Sequence, residues 1–125
     1  MLGLRLEQMQ VKASTKKSLK KKMDALWSKI IRSRGSCEVC GTACQNAHHI
    51  IGRVNYNLRW DLRNGVALCV GCHFKAHNNP IEFLDYLWEV RPGDYLYLTD
   101  PEHTKTKTWH MSDYEDIYNK LLEVR

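Results

Sequence analysis

Residues 37–77 read CEVCGTACQNAHHIIGRVNYNLRWDLRNGVALCVGCHFKAH and contain two Cys-x-x-Cys pairs. A Cys-x-x-Cys turn directs two thiolates at one ion, and two such turns complete a closed tetrahedral Zn²⁺ site. Disulfide bonds are the competing interpretation, but thiols inside cells stay reduced. The paired spacing therefore predicts a structural zinc site with the ligands Cys37, Cys40, Cys69 and Cys72.

The 28 residues between the two pairs add further chemistry to this stretch. They contain His48 and His49 side by side, then Asn64, and His73 directly follows the last cysteine. This order resembles the HNH endonucleases of the ββα-metal class, in their zinc-stapled form. The resemblance covers 41 residues, about a third of the chain. Within it, NLRWDLRNGVALCVGCH is similar to small phage HNH proteins, among them the NinG/Rap-type recombination nucleases.

The resemblance implies an α+β fold, in which a ββα-metal core is stapled by the Cys₄ zinc site and flanked by N- and C-terminal helices. It implies that His48 and His73 bind a catalytic divalent ion, with Mg²⁺ or Mn²⁺ expected first and other ions possible. His49 would be the general base that takes a proton from water, and Asn64 would orient the loop and the His49 ring. His77, one helical turn after His73, is a candidate third ligand or phosphate contact.

Simpler interpretations of these residues stay open at this point. His48 and His49 can be ordinary strand histidines. His73 can cap a helix or replace a zinc ligand, although four cysteines already fill a tetrahedron. Asn64 stands before a glycine and can be the left-handed residue of a turn. Cys44, the fifth cysteine, is expected to be a small buried strand residue.

The whole chain has the size and composition of a small soluble protein. Its 125 residues leave room for one domain with a modest core, and 43% apolar and 26% charged residues are ordinary values. Arg5, Glu7 and Lys12 stand where a signal peptide needs an apolar segment. We therefore expect a cytoplasmic protein, in the host cell if it is encoded by a phage, with no membrane association and with reduced or metal-bound cysteines.

Positive charge is concentrated at the N-terminal end. Residues 1–34 contain ten Lys and Arg against two acidic residues, whereas residues 35–125 contain nine against twelve. Such a basic arm predicts contact with a polyanion, most simply nucleic-acid phosphate, although a solvated lysine face is the plainer alternative. One loop arginine can instead pair with Asp61. The candidate phosphate contacts are Lys17, Lys20, Lys21, Lys22, Arg53, Arg59 and Arg63.

The chain is expected to have three segments: a basic tail and helix over 1–34, the zinc site with the HNH core that the resemblance implies over 35–79, and a region over 80–125 that packs on the core. The first helix is expected from about Ser14 to Gly35, with one apolar stripe. In the core, strands are predicted over 43–51 and 66–68, before a helix that begins near Cys72. Trp60 is expected in the core, with base stacking as the alternative.

The last segment is predicted to contain a helix, a hairpin and a final helix. Pro80 opens a helix over 81–90 that is apolar on two sides. DYLYLT, residues 94–99, alternates like a strand, and TWHM, residues 108–111, is its expected partner. Ser112 and Glu115 form a capping box for the last helix.

Together these features predict a metal-dependent HNH endonuclease that hydrolyses DNA phosphodiester bonds, by nicking or double-strand cutting. The resemblance implies products with 5′-phosphate and 3′-hydroxyl ends. The alternatives are a structure-selective recombination nuclease acting on branched DNA, and a non-catalytic zinc-containing nucleic-acid-binding module. Double-strand cutting would suggest a homodimer, with contacts sought in residues 1–12 or 81–90.

Overall fold

The computed structural model describes residues 15–124, so the contacts expected of residues 1–12 lie outside the described range. Its two strands pair in one antiparallel sheet, and helices surround them, which confirms the predicted α+β class. Within residues 15–124, no helix combines the length and the apolar character that a membrane crossing requires. The elements are α1 (Lys16–Arg32), β1 (Asn46–His49), α2 (Tyr56–Arg59), a 3₁₀ turn (Leu62–Asn64), β2 (Gly65–Leu68), α3 (Val70–Asn78), α4 (Pro80–Val90), α5 (Pro92–Thr99), α6 (Pro101–Thr104) and α7 (Met111–Val124).

The chain forms two compact units. One unit, Trp27–Lys107, contains the sheet, all five cysteines and the histidines of the motif. Two clusters of its buried side chains lie around Cys37, Val66 and Leu68 and around Leu58, Leu87 and Leu98, and Trp27, Ile31 and Trp60 are buried as well. The other unit consists, among the described residues, of 15–26 and 108–124. Its buried side chains are Leu19, Met23, Tyr114 and Leu121.

Helix α1 begins and ends as its sequence predicts. The Thr15 hydroxyl accepts a hydrogen bond from the Ser18 backbone N–H at 3.1 Å, which caps the first turn. Gly35 has a φ of 93°, the left-handed conformation that stops a helix. Trp27 and Ile31, on the last turns of α1, are fully buried.

Strand β1 is shorter than the predicted strand over 43–51. It pairs with β2 over four residues, with His48 opposite Val66 and His49 opposite Gly65. Beyond His49, the backbone N–H of Ile51 donates to the side-chain oxygen of Asn64 at 2.7 Å. The Ile50 N–H still donates to the Asn64 backbone carbonyl at 3.0 Å, and at Ile51 the Asn64 side chain replaces the backbone as hydrogen-bond partner.

The hairpin predicted in the last segment is wrong. Residues 94–99 belong to helix α5, which starts with Pro92 in its first turn, where proline is favoured. Tyr-Leu-Tyr-Leu is apolar at every position, so its apparent alternation contains no strand signal. Residues 108–110 form no strand. The capping box is also shifted, because helix α7 begins at Met111 and Asp113 accepts the His110 backbone N–H at 2.8 Å.

Helix α4 spans the predicted range. Among residues 15–124, one of its apolar sides is packed against other side chains and the other is largely exposed to solvent. Leu87 is buried and Phe83 packs against the cluster around Cys37. Ile81 is 76% exposed and Trp88 50% exposed.

Glu38, between the first two cysteines, ties its loop to β2. Its backbone N–H donates to the Ala67 carbonyl at 2.9 Å, and its carboxylate accepts the Ala67 N–H at 2.8 Å. Arg34 and Arg91 both form ion pairs with this carboxylate, at 3.0 and 3.3 Å. Both arginines also donate to the Gly65 carbonyl. The loop therefore extends the hydrogen bonding of β2 on its outer side.

Gly65 is required by packing. A Cβ built there would lie 2.3 Å from Cδ1 of Ile31 and 2.9 Å from Cζ2 of Trp27. We predict that Gly65→Ala lowers the free energy of unfolding by about 1–3 kcal/mol, because the core is overfilled. Gly93→Ala is the matched control, since nothing lies within 4 Å of its added Cβ. Alanine in that helix should raise stability by up to about 1 kcal/mol. Urea unfolding of the two variants measures the difference; equal stabilities would contradict the prediction.

Candidate functional site

The first cysteine pair lies in a tight turn. Gly41 has a φ of 80°, and its backbone N–H donates to the Cys37 carbonyl at 2.9 Å. The Thr42 hydroxyl lies 3.1 Å from Sγ of Cys40, and this hydrogen bond lowers the pKa of the Cys40 thiol. The turn therefore brings both side chains to one side and favours the thiolate form of Cys40.

The second pair lies at the start of helix α3. Cys69 is the N-cap residue, and its sulfur accepts the Cys72 backbone N–H at 3.4 Å. This hydrogen bond lowers the pKa of Cys69, whereas burial raises the pKa of Cys72 to about 12. A coordinated cation reverses the second effect, because a coordinating thiol is deprotonated outright.

The four cysteines form one cluster. Their sulfur atoms all lie within 4.8 Å of one another, and those of Cys40 and Cys69 are 3.6 Å apart. Sulfurs bound tetrahedrally at about 2.3 Å from one ion stand about 3.8 Å apart. All five cysteines are free, so the structure contains no disulfide bond between them and does not support the competing disulfide interpretation. The cluster could hold a structural metal ion such as zinc.

Three histidines form a second cluster. His48 comes from β1, and His73 and His77 lie one turn apart on α3. Their ligand nitrogens lie within 4.8 Å of one another, and the Nε2 atoms of His73 and His77 are 3.0 Å apart. Two nitrogens bound at about 2.1 Å and at right angles on one ion would be separated by about 3.0 Å. The structure therefore brings together the three residues predicted to hold a catalytic ion.

The environment of His48 suits a metal ligand. Burial and the neighbouring His73 and His77 lower the pKa of His48 to about 4, so the ring is neutral near pH 7. Among residues 15–124, Nδ1 of His48 is the one buried side-chain nitrogen or oxygen atom without a hydrogen-bond partner. Such an atom requires an explanation, and a cation bound to the ring is one.

The two clusters differ in access and in donor type. His48 is buried and His73 half-buried, but His77 is exposed, so the histidine cluster opens to solvent. A three-histidine site leaves coordination positions for water or substrate, whereas four thiolates close a site. Imidazole nitrogen suits Zn²⁺, Ni²⁺ and related transition metals, whereas Mg²⁺ prefers oxygen. The donor type therefore favours such transition metals over Mg²⁺ at this cluster.

His49 lies on the other face of β1, as strand alternation predicts. Its Nε2 atom is 2.9 Å from the Arg59 carbonyl oxygen. Because a carbonyl only accepts, Nε2 has the proton, and Nδ1 is the basic nitrogen of the neutral ring. The ring stacks on Trp27 with centroids 3.9 Å apart and an interplanar angle of 12°.

A pocket of about 220 Å³ joins the two faces, with room for several waters of about 30 Å³ each or a phosphate group. Within residues 15–124, no carboxylate lines it. The lining residues are His48, His49, Ile50, Gly52, Ala76, His77, Pro80, Phe83 and Leu84.

Asn64 holds the loop between the strands. It is fully buried, and its side chain exchanges hydrogen bonds with both the N–H and the carbonyl of Ile51 and donates to the Leu58 carbonyl at 3.0 Å. Leu58 is next to Arg59, whose carbonyl binds His49, so the predicted loop-orienting role agrees with these contacts. The left-handed alternative is wrong, because no non-glycine residue in the described range has a positive φ.

The predicted phosphate contacts fall into exposed and packed groups. Lys17, Lys21 and Lys22 are exposed on α1, but the Lys20 ammonium lies 6.0 Å from the Tyr114 ring centroid. Their phosphate role stays a prediction.

The loop arginines differ in the same way. Arg53 is exposed, Arg59 lies over the Tyr56 and Trp60 rings, and Arg63 lies over the Tyr97 ring at 4.4 Å. Asp61 accepts the Tyr97 hydroxyl at 2.6 Å. Trp60 is buried, as its core interpretation predicts.

Two features near the pocket have no signal in the sequence. The first is Trp27, which looks like any other apolar position of α1. The second is the end of α6 together with Lys105, the residue that follows it. The side chain of Asn55 donates to the Thr104 carbonyl at 3.1 Å, and the side chain of Asn57 donates to the Lys105 carbonyl. These contacts place basic Lys105 beside α2. Both depend on tertiary contacts between distant parts of the chain.

Comparison of the chain with protein-family models, with curated proteins and with solved structures gives no match. The functional argument therefore stands on the two clusters, the pocket and the chemistry of their residues.

The two clusters should bind metal independently. We predict that Co²⁺ titration of the metal-free chain gives thiolate-to-cobalt charge-transfer absorption that disappears in Cys69→Ser. His73→Ala should keep that absorption and lose a second binding event, because it removes one imidazole and no thiolate. Absorption spectroscopy with calorimetry checks both. A single binding event in the wild-type chain would contradict the second site.

Removing the Asn64 side chain should destabilise the protein strongly. Asn64→Ala leaves the Ile51 N–H and two carbonyls without their partner, which costs about 2–4 kcal/mol of unfolding free energy. Asn119→Ala, on the exposed side of α7, is the control and should change stability by less than about 0.5 kcal/mol. Urea unfolding measures both variants, and a small effect at Asn64 would show that its hydrogen bonds are replaceable.

Proposed function

We propose that the protein is a metal-dependent endonuclease that hydrolyses phosphodiester bonds in DNA by HNH-type chemistry. One observation carries the proposal: His48, His49 and His77 line a single pocket, although His48 and His49 point to opposite faces of β1. One face offers three nitrogens to a cation, and the other offers a hydrogen-bonded imidazole with a basic Nδ1.

The residues divide the work of hydrolysis between them. A divalent ion held by His48, His73 and His77 would neutralise charge on the phosphate and favour departure of the leaving oxygen. His49 takes a proton at Nδ1 from the attacking water, whose oxygen forms the new bond to phosphorus. The bond from phosphorus to the 3′ oxygen breaks, and that oxygen takes a proton from solvent water and leaves as a hydroxyl. Asn64 keeps the 50–64 loop in place and with it the carbonyl that binds His49.

Electrostatics favour an anionic substrate. Because no carboxylate within residues 15–124 lines the pocket, a bound cation would keep its charge and attract phosphate. Arg53 follows the pocket-lining Gly52 in the sequence and is the proposed contact for a phosphate next to the cut. The exposed lysines of α1 add sequence-independent affinity for a DNA backbone.

Nicking of supercoiled plasmid tests the proposal. We predict cutting by the zinc-loaded chain with Mn²⁺, Co²⁺ or Ni²⁺, and weaker cutting with Mg²⁺. His49→Ala should cut about 100-fold or more slowly, because a positioned general base contributes about 10²- to 10⁴-fold, and should still bind DNA. His110→Ala, whose side chain is 73% exposed, is the matched control and should cut normally.

Three outcomes would redirect the assignment. Full activity in His49→Ala would reject His49 as the base. DNA binding without cutting under every ion would indicate a zinc-containing binding module. Cutting of four-way junctions but not of linear duplex with the same sequence would indicate a branched-DNA nuclease.

A further inference from the structure

Trp27 makes an unusual contact with the proposed general base. The indole lies parallel to the His49 imidazole, with ring centroids 3.9 Å apart and planes inclined by 12°. Trp27 is 1% exposed, so it reaches no substrate. Its contact with the reaction therefore passes through His49.

The indole is itself held on two other sides. Its Nε1–H donates to the Asp61 carbonyl at 3.0 Å. Its ring edge fills the space beside Gly65, where an added Cβ would come within 2.9 Å of Cζ2. Gly65 is the cross-strand partner of His49, and side chains of such a pair project from the same face of the sheet. The missing side chain at Gly65 thus makes room for the ring that covers His49.

Two of the contacts that His49 makes constrain its ring in different ways. The Arg59 carbonyl fixes one edge of the imidazole by binding Nε2–H, and the indole fixes the plane of the ring. A hydrogen bond to one atom alone leaves the ring free to tilt about that bond. The flat surface of Trp27 removes this freedom.

We propose that Trp27 is a positioning residue, which holds the His49 ring in the plane where Nδ1 meets the attacking water. The proposal rests on the endonuclease function above. A misplacement of about 1 Å can cost on the order of 100-fold in rate, so the effect belongs to kcat. Substrate binding should be untouched, since Trp27 is buried away from the DNA.

Three variants at the buried positions Trp27 and Ile31 test this role. Trp27→Leu keeps an apolar side chain without a flat face and should lower kcat for plasmid nicking about 10- to 100-fold, with KM within about 2-fold. Trp27→Phe keeps a flat ring and should restore most of kcat. Ile31→Val trims a neighbouring buried side chain and should leave kcat within about 2-fold. Urea midpoints of all three report stability separately.

Two kinetic results would overturn the proposal. One is a loss of kcat that follows the loss of stability equally in Trp27→Leu and Ile31→Val, which is the behaviour of a purely structural residue. The other is a Trp27→Phe variant as impaired as Trp27→Leu, which would assign the effect to the indole N–H and not to stacking.

Histidine ring NMR of the zinc-loaded, full-length chain separates this proposal from the endonuclease assignment. In the wild type we expect His49 ring protons shifted upfield by the indole and a dominant Nε2–H tautomer. Trp27→Leu should lose the shift and broaden the His49 ring signals, because the ring tilts about its hydrogen bond to the Arg59 carbonyl, whereas Trp27→Phe should keep an upfield shift and sharp signals. Ring signals in Trp27→Leu as sharp as those of the wild type would overturn the positioning role, whether or not the wild type cuts DNA.

Discussion

The convergence of four sulfur atoms on one point is the constraint on which the Trp27–Lys107 unit depends. A sheet of two four-residue strands is marginal on its own, and the nine-residue helix α3 is too short to be stable in isolation. The cysteine cluster joins the turn before β1 to the start of α3, and so encloses both strands and the loop between them. Because coordination free energy becomes folding free energy, a metal ion there stabilises the whole ββα element.

This clamp also sets the distance between the catalytic candidates. His48 is on a strand and His73 is next to Cys72 on the helix, so a fixed spacing of the sulfurs fixes the spacing of these imidazoles. Sites of this kind must be held to within about half an ångström. The strand then divides the histidines, because alternation turns His48 toward α3 and His49 toward Trp27. One short strand therefore contributes His48 to the histidine cluster on one face and presents His49, the proposed proton acceptor, on the other.

The sequence predicts the parts of this arrangement that depend on local spacing. Cys-x-x-Cys turns, a His-His pair on a strand and histidines four apart on a helix have fixed geometry, so their convergence could be expected. Asn64 shows the limit, because its side-chain contacts with Ile51 and Leu58 depend on how the 50–64 loop folds back. Helix α5 shows a second limit. Its Tyr-Leu-Tyr-Leu run is apolar at every position, so the sequence has no hydrophobic periodicity there that distinguishes a helix from a strand. The stacking of Trp27 on His49 needs α1 and β1 to meet, and no local pattern encodes that meeting.

Among residues 15–124, no carboxylate lines the pocket, and this bears on the charge that a bound ion would keep. Three neutral imidazoles would bind a divalent ion without cancelling its charge, whereas a carboxylate ligand would neutralise part of it. The low pKa of His48 fits this, because a ring that stays neutral remains available as a ligand near pH 7. An ion held by the three histidines would keep its charge beside the exposed His77 side chain. In the proposed reaction a phosphate would then supply the anionic ligand, so this donor set favours a substrate with negative charge at the scissile group.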